Sequence, residues 1–268
     1  MRIGSCLFVK DEARNIAEWL AYQHVLGVDV TVVYDNGSSD GTQQVVTAAA
    51  RRQDVRLVSW PQLHKHAHTR AFHDCVVRLS GEVDWCLFTD ADEFLVPRTA
   101  ATIGELIEPV ADAGAIAVNW AMFGSSGHVD PPEGLVIESF TRRAPEGFSP
   151  ARHVKSILRL DAFVAPENSH CFRVDGRYVH PDGRDVDWEK PGKTRGGPDY
   201  AICQVNHYFT RSRAHWAERV RRGFLGRVER IDEEFQAYDR NEVEDLSALR
   251  FGPAVRAQLS RYERDAPP

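Results

Sequence analysis

Trp85-Cys86-Leu87-Phe88-Thr89-Asp90-Ala91-Asp92-Glu93-Phe94-Leu95-Val96-Pro97 is the stretch on which the reading of this chain turns. A short apolar run ends abruptly in three carboxylates within four residues. That is the pattern of a buried strand whose tip carries acids. Asp90 and Asp92 stand two apart, so in extended backbone they point the same way. Two like charges that close repel unless a cation lies between them. Hard oxygen ligands at the end of a parallel strand suit Mg²⁺ or Mn²⁺, and open α/β sheets bind ligands at that edge. An isolated Asp-x-Asp reads more simply as a solvated turn. A solvated turn, however, has no need of the second apolar run, Phe94 to Val96, so the stretch reads as a metal site.

Upstream, Arg2 to Val9 reads as a first strand, followed by the polar corner Lys10-Asp11-Glu12-Ala13-Arg14-Asn15. Ile16, Trp19, Leu20 and Tyr22 to Leu26 follow at helical spacing and stop at Gly27, a natural C-cap. Val30 to Tyr34 is a second β-rich run that ends in Asp35. The turn Asn36-Gly37-Ser38-Ser39-Asp40-Gly41 comes next, with Ser39 or Asp40 placed to cap a helix from Thr42. Val55 to Trp60 is a third strand, and a helix covers Thr69 to Leu79. Strands alternating with helices at this spacing imply βαβ units with right-handed crossovers and a mostly parallel sheet. Its strand ends share one edge, so Asp35 and Asp90 are expected to face the same crevice.

Downstream, Thr102 and Glu105 form a capping-box pattern before a short helix to Val110. Ala115 to Met122, Ser156 to Leu160 and Ala201 to Val205 read as strands, and Leu135 to Phe140 as a short strand or helix start. Asp175 to Asp199 is rich in Gly, Pro, Asp and Lys and reads as a long lid-like excursion. Ser212 opens a basic helix through Arg213, Arg219, Arg221 and Arg222, read as a solvated face, and Pro253 to Glu263 forms a closing helix.

The 268 residues suit one large domain, or one domain with an appendage. With 43% hydrophobic and 27% charged residues, the composition is that of an ordinary globular protein. A formal net charge of −6 argues against general nucleic-acid binding, which usually needs a basic surface. No apolar run approaches the ~20 residues of a membrane helix, and the N-terminal run lacks an export pattern. The expectation is a cytoplasmic protein. The Arg213–Arg222 face leaves peripheral contact with the inner surface of a membrane, or with an anionic acceptor, open. Cys6, Cys75, Cys86, Cys171 and Cys203 are scattered and lack a C-x-x-C pair, which fits a reducing compartment and no zinc site. His64, His66 and His68 alternate without an interleaved carboxylate, so they read as a polar loop near a ligand rather than a metal set.

Several stretches together resemble a known family. Lys10-Asp11-Glu12-Ala13 with Glu18-Trp19-Leu20, then Tyr34 to Thr42, then Asp90-Ala91-Asp92-Glu93-Phe94 resemble the GT-A glycosyltransferases of family 2. Phe123 to His128, Gly134 to Glu138, Thr141-Arg142-Arg143, Lys155-Ser156 and Asn206-His207-Tyr208 are similar to the branch related to family 92. The ordered set spans roughly residues 3 to 225. The resemblance implies a GT-A, Rossmann-like α/β fold with a mostly parallel central sheet flanked by helices. It sets a donor half over about 1–97, an acceptor half over about 98–225 and a helical extension over 226–268.

The activity implied is inverting transfer of a sugar from a uridine or guanosine diphosphate sugar to a hydroxyl of a glycan, lipid-linked or other acceptor, in bacterial surface or extracellular glycan synthesis. By that analogy Val9, Lys10, Glu12, Asp35, Asn36, Arg70, Asp90, Ala91 and Lys155 line the nucleotide sugar, with Asp35 near the base. Asp90, Asp92 and His207 are then the ligands of Mn²⁺ or Mg²⁺.

The chemistry needs such groups. Charge builds on the diphosphate leaving group, and a divalent metal with Lys or Arg nearby stabilises it. The attacking hydroxyl must lose a proton to a positioned base. Glu138 is the candidate, with His128 and Asp130 as rivals, because the Glu-Asp pair that often marks the base in family 2 is absent. Two other readings compete: a metal-dependent phosphohydrolase, which would place its nucleophilic Asp on the first strand, and a binding protein without turnover.

Overall fold

The computed structural model describes residues 1–62, 64–221 and 231–263. Arg222 and the expected 225/226 boundary lie outside the described residues. The elements in chain order begin β1 (Ile3–Val9), α1 (Ile16–Leu26), β2 (Val30–Asp35), α2 (Thr42–Ala50), β3 (Asp54–Ser59), α3 (Ala67–Leu79), β4 (Trp85–Phe88) and β5 (Glu93–Pro97). They continue with α4 (Ile103–Ile107), β6 (Ala115–Met122), α5 (Val136–Ser139), β7 (Arg142–Arg143), β8 (Val154–Arg159), β9 (Phe163–Pro166), β10 (Phe172–Val174), β11 (Tyr178–Val179), β12 (Trp188–Lys190) and β13 (Lys193–Thr194). The last are β14 (Cys203–His207), α6 (Arg213–Arg221), α7 (Ile231–Tyr238), β15 (Val243–Glu244) and α8 (Gly252–Glu263).

The central sheet runs β3-β2-β1-β4-β8-β6-β14-β5, with β11 added to β6. The pairs β1–β2, β1–β4, β2–β3 and β6–β14 are parallel, while β8 and β5 run antiparallel to their neighbours. β2 and β4 are buried along their whole length, as central strands covered by helices on both faces must be. The fold is therefore α/β with a mostly parallel sheet flanked by helices. The parallel register sets Val9, Asp35 and Ser59 level at the carboxyl edge, and Phe88 opposite Cys6 puts Asp90 near the same edge.

The second apolar run of the deciding stretch is β5, and its reason for burial is now visible. It pairs antiparallel with β14, His207 opposite Glu93. Backbone carbonyls of β5 that β14 does not take accept side-chain donors from α1: Trp19 Nε1 reaches Glu93 O at 3.0 Å and Tyr22 OH reaches Leu95 O at 2.8 Å. A buried strand edge needs partners of this kind. α1 ends at Gly27 in the left-handed region (φ 92°). At α4, Thr102 Oγ1 accepts from the Glu105 amide, but the Glu105 carboxylate takes the Ala101 amide rather than that of Thr102.

The stretch from Asp175 to Asp199 is built rather than loose. β11 joins the main sheet, β12 and β13 form a hairpin, and Arg184 bridges Asp182 and Asp199. Leu135 to Phe140 resolves into the short helix α5. Phe251 and Val255, before and within α8, bury against the same core as α1. All five cysteines are buried and free. Among the described residues no helix is long and apolar enough to cross a membrane.

Candidate active site

Residues 90–93 are not extended. The Glu93 amide donates to Asp90 O at 3.0 Å, closing a turn between β4 and β5, so the two aspartates turn toward different partners. Lys155, carried by β8 and 1% exposed, places Nζ 2.8 Å from Asp90 Oδ2 and 3.2 Å from Glu93 Oε2. His68 Nε2, on α3, stands 3.5 Å from Asp90 Oδ1. Asp92 Oδ2 faces His207 Nε2 at 3.6 Å and Arg219 of α6 at 3.2 Å. The main chain fixes this second half: the Tyr208 amide donates to Asp92 O at 2.8 Å.

The electrostatics follow from burial and from these partners. Burial pushes the Asp92 carboxyl up, but His207, Arg219 and Arg211 outweigh it and hold it well below the usual carboxylate range. At Asp90 burial is likewise outweighed, by Lys155 and then His68. Glu93 has no exposed surface, and burial raises it to about 7 despite Lys155. Burial disfavours the Lys155 ammonium, yet Asp90 and Glu93 reverse this and raise its pKa. Burial lowers His68 to about 4, so its ring, stacked on Phe8 at 4.8 Å, is neutral near pH 7.

A second buried cation ties the turn to the polar corner after β1. Arg211 donates to Glu12 Oε2 at 3.0 Å, to Ala91 O at 3.1 Å and to His215 Nε2 at 3.1 Å. Asp11 (φ 53°) and Arg211 (φ 50°) are both non-glycine residues in the left-handed region, one beside and one within this ion pair. Such strain persists only where the surroundings over-determine it.

Of the residues singled out in the sequence, Asp90, Ala91, Asp92, Lys155 and His207 meet at this turn, and Glu12 joins through Arg211. Val9, Asp35 and Asn36 stand at the neighbouring strand ends. Asp35 accepts from Gln43 Nε2 at 2.7 Å, and Asn36 donates to Trp60 O and Gln62 O at 2.8 Å each. Lys10 is exposed. Arg70 contacts His64 at 3.2 Å, and among the described residues neither of the two bonds to Asp90 or Asp92.

The three candidates for the base are not brought to the turn. Glu138 is paired with Arg256 of α8, His128 Nε2 bonds Ser139 O at 3.1 Å, and Asp130 is exposed. Sequence reasoning did not single out Glu93 and Arg211, and it took His68 only as part of a polar loop near a ligand and Arg219 only as part of a basic helix face. For Arg219 a signal existed: it lies three and four residues past Trp216 and His215, which share one buried helix face.

Among the described residues no three His, Cys, Asp or Glu side chains gather closely enough to hold an ion by themselves. Asp92 and His207 nevertheless offer a hard oxygen and an imidazole 3.6 Å apart. Glu93 Oε1 and His207 Nδ1 beside them are buried with no hydrogen-bond partner. This suits a cation of the Mg²⁺ type, which takes one or two protein ligands and completes its shell with substrate phosphates and water. The 420 Å³ pocket lined by Thr99, Leu106, Pro109, Pro181 and Ile202 shares no residue with the acid turn.

Comparison with known proteins places the chain. A Glycosyltransferase family 92 protein of Oryza sativa subsp. japonica is 30% identical over 161 residues, 59% of this chain and 26% of that protein. One of Ricinus communis is 29% identical over 211 residues, 76% of this chain and 34% of its own length. The chain thus spans about a quarter to a third of the curated relatives it matches. Solved structures are similar more loosely. Staphylococcus aureus TarS 1-349 shares 15% identity at a TM-score of 0.41, covering 69% of this chain and 59% of that one. Glucosyl-3-phosphoglycerate synthase from Mycobacterium tuberculosis, in complex with Mn²⁺, UDP-glucose and phosphoglyceric acid, shares 15% at 0.39, covering 71% and 73%. The family model for Glycosyltransferase family 92 matches residues 3–175, well over half of the chain, and the chain belongs to that family.

Proposed function

We propose that this chain transfers a sugar from a nucleoside diphosphate sugar to an acceptor hydroxyl, with inversion and with the help of Mn²⁺ or Mg²⁺. One observation carries the reading. In a chain of this family, Asp92 and His207, 115 residues apart in the sequence, face each other at 3.6 Å beside the acid turn. Asp92 and His207, with Asp90 next to them, would hold the cation. Its contribution there is to neutralise charge as it builds on the leaving diphosphate.

The protein's own groups do the rest. Lys155 keeps Asp90 ionised and holds both it and Glu93 in place, so the turn is preorganised. Asp35 and the Val9 end of β1 border the nucleotide side of the edge. Arg256 pairs with the Glu138 carboxylate, so as the base Glu138 would first have to release that partner. The phosphohydrolase reading loses ground to family membership. The curated relatives named above are plant proteins, so a setting in bacterial glycan assembly rests on the sequence expectation alone.

The test is a thermal-shift panel of UDP, GDP and their sugars, with and without Mn²⁺, on the parent and on Asp92→Asn. A nucleotide present at 100 times its Kd adds about 2.7 kcal/mol of stability. The expected outcome is a metal-dependent shift in the parent that Asp92→Asn removes. No shift with any nucleotide would sink the reading, and binding without release of nucleoside diphosphate in the presence of acceptors would reduce it to a binding protein.

A further inference from the structure

We propose that Arg219 is a contact for the donor's diphosphate, and that it holds Asp92 until metal and donor arrive. The inference rests on the donor-site reading above. Asp90 and Asp92 are each neutralised by a cation of the chain itself, and the two cations differ in kind. Lys155 sits inside the sheet on β8, 1% exposed, fixed by Asp90, Glu93 and the Ser169 carbonyl; it has nowhere to go. Arg219 stands near the end of α6 on a long side chain, 22% exposed. It donates to Asp92 Oδ2 at 3.2 Å and to Phe209 O at 2.8 Å, with its guanidinium 4.8 Å over the Phe209 ring.

Arg219 and His207 approach the same oxygen of Asp92. A divalent cation reaching Asp92 and His207 therefore meets a positive charge already at its oxygen, and like charges at that distance repel. The guanidinium must leave Asp92 when the cation enters. The diphosphate brought by the donor is the strongest anion then within reach. A planar guanidinium matches phosphate oxygens two at a time, and the Phe209 ring can hold the fork by its face as it turns. Arg219 thus opposes metal alone and favours metal with diphosphate, which makes ordered loading of the two a property of one side chain.

The experiment separates these two effects on the whole chain, with Arg219→Ala, Arg219→Gln and Arg219→Lys compared with the parent by circular dichroism for folding. Mn²⁺ alone is followed by the loss of its free electron-paramagnetic signal. UDP and GDP are then titrated at saturating Mn²⁺ by calorimetry. Removing the guanidinium should tighten Mn²⁺ alone several-fold and weaken the nucleoside diphosphate about 10- to 100-fold, the range of one or two charge-assisted bonds. Arg219→Lys should recover part of the nucleotide affinity, as a point charge without the fork. Unchanged nucleotide affinity in folded Ala and Gln variants overturns the proposal, whatever happens to the metal, and leaves the donor reading standing. If the parent itself binds neither UDP nor GDP with Mn²⁺, the donor reading fails and this inference fails with it.

Discussion

A buried lysine held by two carboxylates is costly to break from either side. Lys155→Met leaves Asp90 and Glu93 without their counter-charge in a site from which Glu93 has no exposure. Breaking a buried pair this way costs about 3–5 kcal/mol, which denaturant midpoints would read. Adding Glu93→Gln should return part of the loss, because the two residues share one network; an additive double variant would show that Lys155 acts elsewhere. At this scale the sequence made much of the site legible. Acids at a strand tip, a lysine inside a β-run and a histidine at a strand end each stand where their chemistry is unusual. Arg219 stayed hidden because arginines on a helix are read as solvated by default, and Arg211 because it lies in the loop before α6, where no periodicity marks it as buried. The ion pair of Glu138 was equally hidden: its partner Arg256 lies 118 residues away, and no local pattern announces such a pair.

α1 holds β5 by two side-chain hydrogen bonds, and this makes a sharp prediction. Tyr22→Phe keeps the packed ring but strands the Leu95 carbonyl in a fully buried position. The expected loss is about 1–3 kcal/mol, the cost of leaving a buried acceptor unsatisfied. A melting shift within error would mean that water or a neighbour replaces the hydroxyl. Helices and their ends were readable because their signals are local: the spacing of Trp19, Leu20 and Tyr22, Gly27 beyond Leu26, Thr102 before α4. Strand pairing was not. Phe94 to Val96 announced burial, but nothing in that run could say that its neighbour would be β14, or that the two would run antiparallel. The turn at 90–93 was likewise misjudged as extended, since a two-residue spacing fits a strand and a turn equally well.

Across the whole molecule, Glu18 joins α1 to the segment carrying α5. Its carboxylate accepts from the Val136 amide at 2.7 Å and the Ile137 amide at 3.1 Å. Burial nevertheless raises its pKa from 4.5 to about 7. At acid pH the folded and unfolded chains both keep the proton. As pH rises the unfolded chain releases it first, so stability from this group falls between about 4.5 and 7. From pH 5 to pH 8 the loss is about 2–3 kcal/mol. Glu18→Gln removes the titrating group, so the parent should lose that much relative to the variant over this range. Parallel stability–pH curves for the two would refute the assignment. Helix and sheet alternation announced the general architecture; the joining of distant segments by one buried acid is a tertiary event that the sequence spacing does not carry.

The pairing of β5 with β14 also orders events in time. A ribosome releases the acid turn early, but the strand that flanks it, and the histidine that faces Asp92, emerge only after more than a hundred further residues. Until then Phe94 to Val96 is an apolar edge with no partner, the kind of segment that invites pairing with another chain. The region matched by the family model ends at residue 175, before β14 begins. A nascent or truncated chain that stops there would carry the signature of the family while its candidate site still waited for the strand that completes it.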